Sequence, residues 1–309
     1  LGVLPFFHIY GMVVIMMLVL SKGATLITLP KFDMEEFLGV VQKYKITMAP
    51  LVPPIVLGLA KHPAVDKYNL KSIRMIFCGA APLGETTAAE ATKRIGCRIA
   101  QGYGMTEASP VTHLSPSALE NFKVGSAGWV VPNTEVQVVD PITNKPMGVD
   151  QDGEIWIRGP QIMKGYLGKA KETADSITKE GWYRTGDIGH VDKEGYFYIV
   201  DRLKELIKYK GMQVAPAELE ALILTHPAVA DVAVIPSPDE EAGEIPKAFV
   251  VLKPGQQATA EDIMGFVAGK VAPHKRIRLL DFVPQIPKSA SGKILRRLLV
   301  DEERKRKAS

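Results

Sequence analysis

Cysteine is scarce. Cys78 and Cys97 are the two in 309 residues, both in apolar strand-like runs, with no further Cys or His at ligand spacing. Such a pair supports neither a disulfide framework nor a zinc site, and a reducing compartment is the simplest expectation. A dominant charge of one sign is also lacking, since 38 Lys+Arg meet 34 Asp+Glu for a net +4. That balance is too mild to point to nucleic acid. No apolar run has membrane length: the most apolar stretch, 12–20, covers about half of the ~20 residues a spanning helix needs and reads as a core helix. Residues 1–10 do not read as a signal peptide, having no basic n-region and no small-residue cleavage site after them. Internal repeats and low-complexity segments are missing too. What is present is 46% hydrophobic residues, which excludes a disordered tail, and a length that at ~100–200 residues per domain suggests two domains with cores of their own.

From 24 to 102 short β-branched runs alternate with amphipathic stretches, at 24–29, 34–44, 46–49, 54–61, 73–78, 85–95 and 98–101. This alternation predicts an α/β fold, a parallel sheet with crossover helices over 1–123. Between 124 and 201 the pattern changes to strands separated by turn pairs such as Asp152-Gly153 and Glu194-Gly195. A small antiparallel barrel or hairpin unit is expected there. After Asp201-Arg202 come a helix at 217–225, strands at 230–235 and 248–252, a helix at 261–271, a strand at 278–283 and a helix at 294–300. These describe a small α+β domain over 202–309, with the boundary near 201–204. The basic run Arg304-Lys-Arg-Lys307 reads as a solvated, frayed helix end.

Chemistry-bearing residues gather in four places. Gln101-Gly-Tyr-Gly-Met-Thr-Glu107 follows a predicted strand, at the carboxyl edge where α/β sheets bind ligands. There Thr106 can bond a phosphate oxygen, Glu107 can hold Mg²⁺ and Tyr103 can stack on a base. The alternative is a Gly-rich turn with a capping Thr. Trp182-Tyr-Arg-Thr-Gly-Asp187 ends in a carboxylate able to accept two hydroxyls, or in an ordinary turn former. Asp201-Arg-Leu-Lys-Glu-Leu-Ile-Lys-Tyr-Lys-Gly211 concentrates four cations, as a solvated linker or as a hinge with phosphate-binding charge. Pro287-Lys-Ser-Ala-Ser-Gly-Lys293 places a lysine after a Ser/Gly-rich mobile loop, suited to a phosphoryl-type transition state or simply to a capped helix start.

Together with Leu4-Pro-Phe-Phe-His-Ile-Tyr-Gly11, Cys78-Gly-Ala-Ala-Pro82 and Gly153-Glu-Ile-Trp-Ile-Arg-Gly159, these segments resemble, in order and spacing, the acyl-adenylate-forming (AMP-binding) enzymes. The ligase branch that contains 4-coumarate:CoA ligase and related acyl-CoA synthetases is the best match. The resemblance implies a large adenylation domain followed by a small mobile one. It also implies an acid-thiol ligase, which uses ATP and Mg²⁺ to form an acyl-adenylate and then passes the acyl group to CoA.

By that resemblance, Ala80, Gln101, Gly102, Tyr103, Thr106, Asp187, Arg202, Lys204, Gln213 and Lys293 would hold the nucleotide, and Glu107 the metal. Lys293 would stabilise charge in adenylation, and Lys208 would contact the acyl-adenylate. Lys204 would be the hinge, and Lys31, Lys210 and Gly211 would line the CoA path. His8, Tyr10, Val14, Phe77, Ala80, Gly104, Pro110 and Val111 would build the acyl pocket. In coumarate-specific enzymes a small hydroxyl residue stands at the position of Val14. Valine cannot make that bond, which favours a less polar aromatic or a medium-chain acid. His8 either gates the pocket or packs.

The family's Ser/Thr/Gly-rich phosphate loop ending in Pro-Lys-Gly is expected upstream of the His8 motif, and the chain reads as a fragment that starts after it. These residues alone are therefore expected to adenylate poorly and to leave apolar surface uncovered. Other readings are a carrier-loading or luciferase-like adenylating enzyme, and a non-catalytic ligand-binding relative. The expected partners are small molecules, with no nucleic acid and no transmembrane segment, for a monomer or homodimer. Lys307-Ala-Ser309 is not a Ser-Lys-Leu address, so the cytoplasm is expected before the peroxisome.

Overall fold

The computed structural model describes residues 1–116, 122–289 and 292–308, which divide into two units, Leu1–Ile199 and Val200–Ser309. The apolar stretch at 12–20 is helical, a wide π-type turn over Tyr10–Met17 continuing into α1 (Leu18–Ser21). Tyr10, Gly11 and Ile15 are buried, but Met17, Leu18 and Leu20 are exposed, so the expected core helix packs on one face only. With apolar residues all round, the sequence has no stripe that marks the packed face. The expected strand at 24–29 makes only an isolated parallel bridge, Gly2 to Thr28.

The alternation then begins. Asp33 accepts the Glu36 amide at 2.9 Å and starts α2 (Met34–Tyr44), which buries Phe37, Leu38 and Val41 and stops at Lys45 with φ +53°. Next come β1 (Met48–Leu51), α3 (Pro53–Lys61), β2 (Met75–Cys78), α4 (Glu85–Ile95) and β3 (Arg98–Gly104). Pro53 sits in the first turn of α3, and α4 ends at Gly96 in the left-handed region, φ +75°, where a side chain would be strained. The strands β1, β2 and β3 are parallel, with Cys78 opposite Gln101. Past that pair β3 takes a new partner on its other edge, running antiparallel to β4 (Val111–Leu114), which pairs with β5 (Trp129–Val130). From Gly102 onward the edge facing β2 is therefore open. This opening at the carboxyl end of a parallel sheet is the crevice in which α/β folds bind ligands.

The stretch expected as a barrel or hairpin unit is an antiparallel sheet in the order β6 (Glu135–Val139), β7 (Gly153–Arg158), β8 (Tyr183–Val191), β9 (Phe197–Arg202). It is open among the described residues, since β6 and β9 do not pair. A short helix, α5 (Ala170–Ser176), lies between β7 and β8 in the chain.

In the second unit, β10 (Ile207–Tyr209) and β11 (Met212–Val214) form a hairpin, so the later part of the cation-rich segment is strand and turn, while Lys204 lies in the turn before it. Next come α6 (Pro216–Ile223), β12 (Val229–Asp239), β13 (Gly243–Leu252), α7 (Ala260–Ala268), β14 (Leu279–Phe282) and α8 (Arg296–Ala308). The strand β13 pairs with β12, β10 and β14. A capping box between Thr259 and Asp262 starts α7. The last helix begins two residues later than the sequence suggested and takes in the basic run at 304–306. It is anchored by a buried network: Lys247 Nζ reaches Glu303 at 2.6 Å and Asp281 at 2.9 Å, and Ser237 Oγ donates to Glu303 at 2.8 Å. No helix among the described residues is long and apolar enough to cross a membrane.

Candidate active site

Glycine in the strand β3 is a packing requirement. A Cβ on Gly102 would lie 2.6 Å from the Phe77 ring and 3.0 Å from the His113 carbonyl, and one on Gly104 would lie 2.1 Å from the Pro110 carbonyl. The glycines are therefore strand residues in close approach to their neighbours, not the turn that the sequence left open. Gln101 is buried, and its Oε1 accepts the Leu83 amide at 3.2 Å, pinning the loop after β2 against β3. In that loop Ala80 is held at φ +73°, a strained conformation for alanine of the kind that collects at functional sites.

Tyr103 points its hydroxyl at Asp187, donating a 2.5 Å hydrogen bond to Oδ2 and joining β3 to β8. Its ring packs on His113, centroids 5.6 Å apart, and His113 packs on Phe197 at 4.4 Å. His113 is fully buried. Its Nδ1 lies 3.0 Å from Thr112 Oγ1, its Nε2 has no hydrogen-bond partner, and burial pushes its pKa down to about 3.

Asp187 also owes its position to residues the sequence did not single out for a role. Glu154, buried on β7, accepts the Gly186 amide at 2.9 Å through Oε1 and the Trp156 indole at 2.8 Å through Oε2. Thr185 Oγ1 donates to the Ile155 carbonyl at 2.7 Å and accepts the Asp187 amide at 3.0 Å. A carboxylate at the head of a continuous apolar run, Glu154-Ile-Trp-Ile157, was the available signal for the first of these.

Thr106 and Glu107 lie in a single 3₁₀ turn after β3. Glu107 accepts the Tyr166 hydroxyl at 2.8 Å, and Tyr166 meets Tyr183 at 3.4 Å. Among the described residues no cluster of three or more His, Cys, Asp or Glu could cage a metal. A single half-exposed carboxylate still fits Mg²⁺, which is usually held by one or two carboxylates together with substrate phosphates.

Several of the residues that the resemblance assigns to an acyl pocket are neighbours around β3. Tyr10 is buried, donates to the Phe77 carbonyl at 2.8 Å and meets the Phe77 ring edge-on at 6.0 Å. Phe77 in turn abuts Gly102, and Pro110 and Val111 abut Gly104. Val14 packs against the main core. His8 accepts the Tyr10 amide on Nδ1 at 3.2 Å, which orients it at the start of the helix. Lys31 is exposed in the loop before α2.

The remaining candidates belong to the second unit. Lys208 and Gln213 are cross-strand partners on β10 and β11, both exposed, and the Lys208 amide donates to Glu244 at 2.8 Å. Lys210 and Gly211, at φ +48° and +80°, form the two-residue turn between these strands, and the Lys210 ammonium pairs with Glu241. Arg202 Nη1 lies 3.9 Å from Glu205, and Lys204 is exposed.

Lys293 is hydrogen-bonded to Ser289 across the Ser/Gly-rich loop. Its amide donates to Ser289 Oγ at 3.1 Å, and its carbonyl accepts the Ser289 amide at 2.8 Å. Ala290 and Ser291 of that motif lie outside the described residues. An open groove of ≈ 560 Å³ runs between Tyr209, Met212 and residues 273–278, with His274 and Arg276 along it and the Arg278 guanidinium 3.9 Å above the Tyr209 ring. A second open concavity of ≈ 620 Å³ beside α5 offers Lys164, Tyr166 and Thr173 among apolar side chains and glycine, and its Tyr166 is the residue that bonds Glu107.

Known proteins match this chain in sequence and in fold. The model of the AMP-binding enzyme family matches residues 1–167, and that of the AMP-binding enzyme C-terminal domain matches 218–293. 4-Coumarate–CoA ligase 1 of Petroselinum crispum is 52% identical over 299 residues, covering 96% of this chain and 55% of that protein. Peroxisomal OPC-8:0-CoA ligase 1 of Arabidopsis thaliana is 47% identical over the same shares. The chain thus spans about half the length of these relatives. Among solved structures, ATP-bound MatB of Rhodopseudomonas palustris superposes with a TM-score of 0.90 at 29% identity, covering 97% of this chain and 59% of that one. The o-succinylbenzoate CoA synthetase of Bacillus subtilis with its acyl-adenylate intermediate gives 0.83 at 29%, covering 96% and 59%. By its sequence matches at both ends and by its fold, the chain belongs to the AMP-binding enzyme family.

Proposed function

We propose that the protein is an ATP-dependent carboxylic acid:CoA ligase, acting on an aromatic or medium-chain acid through an acyl-adenylate. The observation that carries this reading is the convergence at the carboxyl end of β3. The strained Ala80, the close-packed Gly102 and Gly104, the Thr106-Glu107 turn and the Tyr103-bound Asp187 all border one crevice. In this reading Asp187 accepts ribose hydroxyls, Thr106 holds a phosphate oxygen and Glu107 takes the Mg²⁺, which draws charge from the phosphates. Tyr10, Phe77, Pro110 and Val111 offer an apolar wall to the acid.

Adenylation joins a carboxylate oxygen to the α-phosphorus and breaks its bond to pyrophosphate. Lys293 supplies positive charge to the oxygens that gain negative charge on the way. Thioester formation then sets a thiol on the acyl carbon and expels AMP, with Lys208 and Gln213 at the adenylate. The groove beside β10, with the exposed Arg276 and the half-buried His274 along it, suits the phosphates of CoA.

The test is a single-turnover assay of pyrophosphate release by the full-length protein over a panel of aromatic and medium-chain acids. Lys293→Ala is expected to slow this step by about 10²–10³-fold. The same variant should keep making thioester from a presynthesised acyl-adenylate and CoA. Equal loss in both half-reactions, or none in either, would remove Lys293 from its role.

A further inference from the structure

Arg296, the first residue of α8, stands three residues beyond Lys293 and is the centre of a buried charge cluster that no role assigned above uses. Its Nη1 bonds Glu205 at 2.6 Å, its Nη2 bonds Glu220 at 2.6 Å, and its Nε donates to the Val234 carbonyl at 3.3 Å. Glu220 closes the ring from α6 by accepting the Val234 amide at 2.8 Å through its other oxygen. Asp201, buried at the end of β9, accepts the Ala217 amide at 2.8 Å and the Arg202 amide at 2.7 Å, and its charge bears on Arg296. Arg202 itself lies 3.9 Å from the second Glu205 oxygen. One planar guanidinium therefore ties the start of α8 to α6, to β12 and to the 201–206 segment.

The chemistry makes this tie stiff. A guanidinium presents its donors as a fixed fork, so two carboxylates on different elements are held at a set angle that a lysine could not impose. Burial opposes the ionised form of Glu220 and raises its pKa to about 7, with Arg296 pulling the other way. Releasing either partner would leave a charge uncompensated away from water. The hairpin that carries Lys208 and Gln213 is fixed separately, by β13 and Glu244.

We infer that Arg296 is a positioning residue, clasping the Lys293 turn to the 201–206 segment so that the two travel as one body. The inference rests on the ligase reading, in which Lys293 serves adenylation and Lys208 the thioester step.

Glu205→Ala is the sharpest probe, because Glu205 is partly exposed and its loss frees one arm of the clasp while the Arg296–Glu220 pair stays. In the full-length protein this variant is expected to lose about ten- to hundredfold in single-turnover adenylation, the scale of a small misplacement of a catalytic group. Its conversion of presynthesised acyl-adenylate to thioester should stay within about threefold of wild type, and Arg296→Lys, which cannot hold both carboxylates at the set angle, should show the same selective loss of adenylation. Amide hydrogen exchange adds a readout independent of turnover. In Glu205→Ala, residues 203–206 and 293–296 should lose protection together, with β12 and β13 unchanged.

Parallel loss in both half-reactions, no loss in either, or loosening of one segment without the other would overturn the clasp. If wild type adenylates no acid in the panel, the ligase reading falls instead, and hydrogen exchange alone decides whether the two segments are joined.

Discussion

The Tyr103 hydroxyl and Asp187 Oδ2, 2.5 Å apart, bind the open end of the parallel sheet to the neighbouring antiparallel sheet. Burial, and then the Asp187 charge, raises the tyrosine pKa well above its usual 10, so the phenol stays a donor throughout the working range. Removing the donor in Tyr103→Phe leaves Asp187 without that hold. Since hydrogen bonds to charged groups contribute about 1.5–3 kcal/mol, the KM for ATP should rise roughly tenfold or more, with a much smaller change in kcat. Steady-state kinetics with varied ATP check this split.

Glu154 gives a second test of how Asp187 is set. Glu154→Ala leaves the Gly186 amide and the Trp156 indole without their shared acceptor, at a cost of about 1–3 kcal/mol per buried group. The urea midpoint should fall, and the KM for ATP should rise in step with the Tyr103→Phe variant.

Two glycine substitutions should separate packing from backbone conformation. Gly104→Ala drives a Cβ to 2.1 Å from the Pro110 carbonyl, a backbone atom that cannot yield without moving the strand. It should cost about 1–3 kcal/mol or more by overpacking and abolish adenylation. Gly186→Ala, at φ +69° with open space around it, should cost only about 1 kcal/mol. Thermal unfolding of the two variants side by side measures the contrast.

His113 makes stability depend on pH. Its folded pKa of about 3 lies below the ordinary value of 6.5, so the unfolded chain binds the extra proton first. The contribution of neutral His113 is therefore intact above pH 6.5 and is lost as pH falls from there toward 3. At pH 5.5 the loss is about 1.4 kcal/mol. Urea unfolding between pH 5 and 8 should show this slope in wild type and a flatter one in His113→Phe.

Much of this architecture could be read from the residues, and where it could not, a physical reason can be given. Helices α2 and α4 announce themselves through the Asp33 cap, the Phe37/Leu38/Val41 stripe and the Gly96 stop. Helix 10–21 has no polar face, so periodicity could not say that Met17, Leu18 and Leu20 stay exposed. The hairpin β10–β11 was hidden because three-residue strands in a lysine-rich run look like a charged linker; only the Ile207-Lys208-Tyr209 alternation betrays it. At the candidate site the residue types were plain in the motifs. The partner of the Tyr103 hydroxyl, 84 positions along the chain, and the inward turn of Glu154 depend on sheet pairing, which no local pattern encodes.

The Lys247–Glu303 bond has a practical corollary for anyone handling the protein. Because one of the two carboxylates that neutralise this buried lysine sits near the carboxyl end of α8, trimming the tail back past residue 303 deletes more than a surface helix turn. It takes the acceptor from Ser237 inside the sheet and leaves Lys247 with Asp281 in place of a pair of carboxylates. Affinity handles and reporters therefore belong after the helix, joined by a spacer, and never in exchange for its last turns.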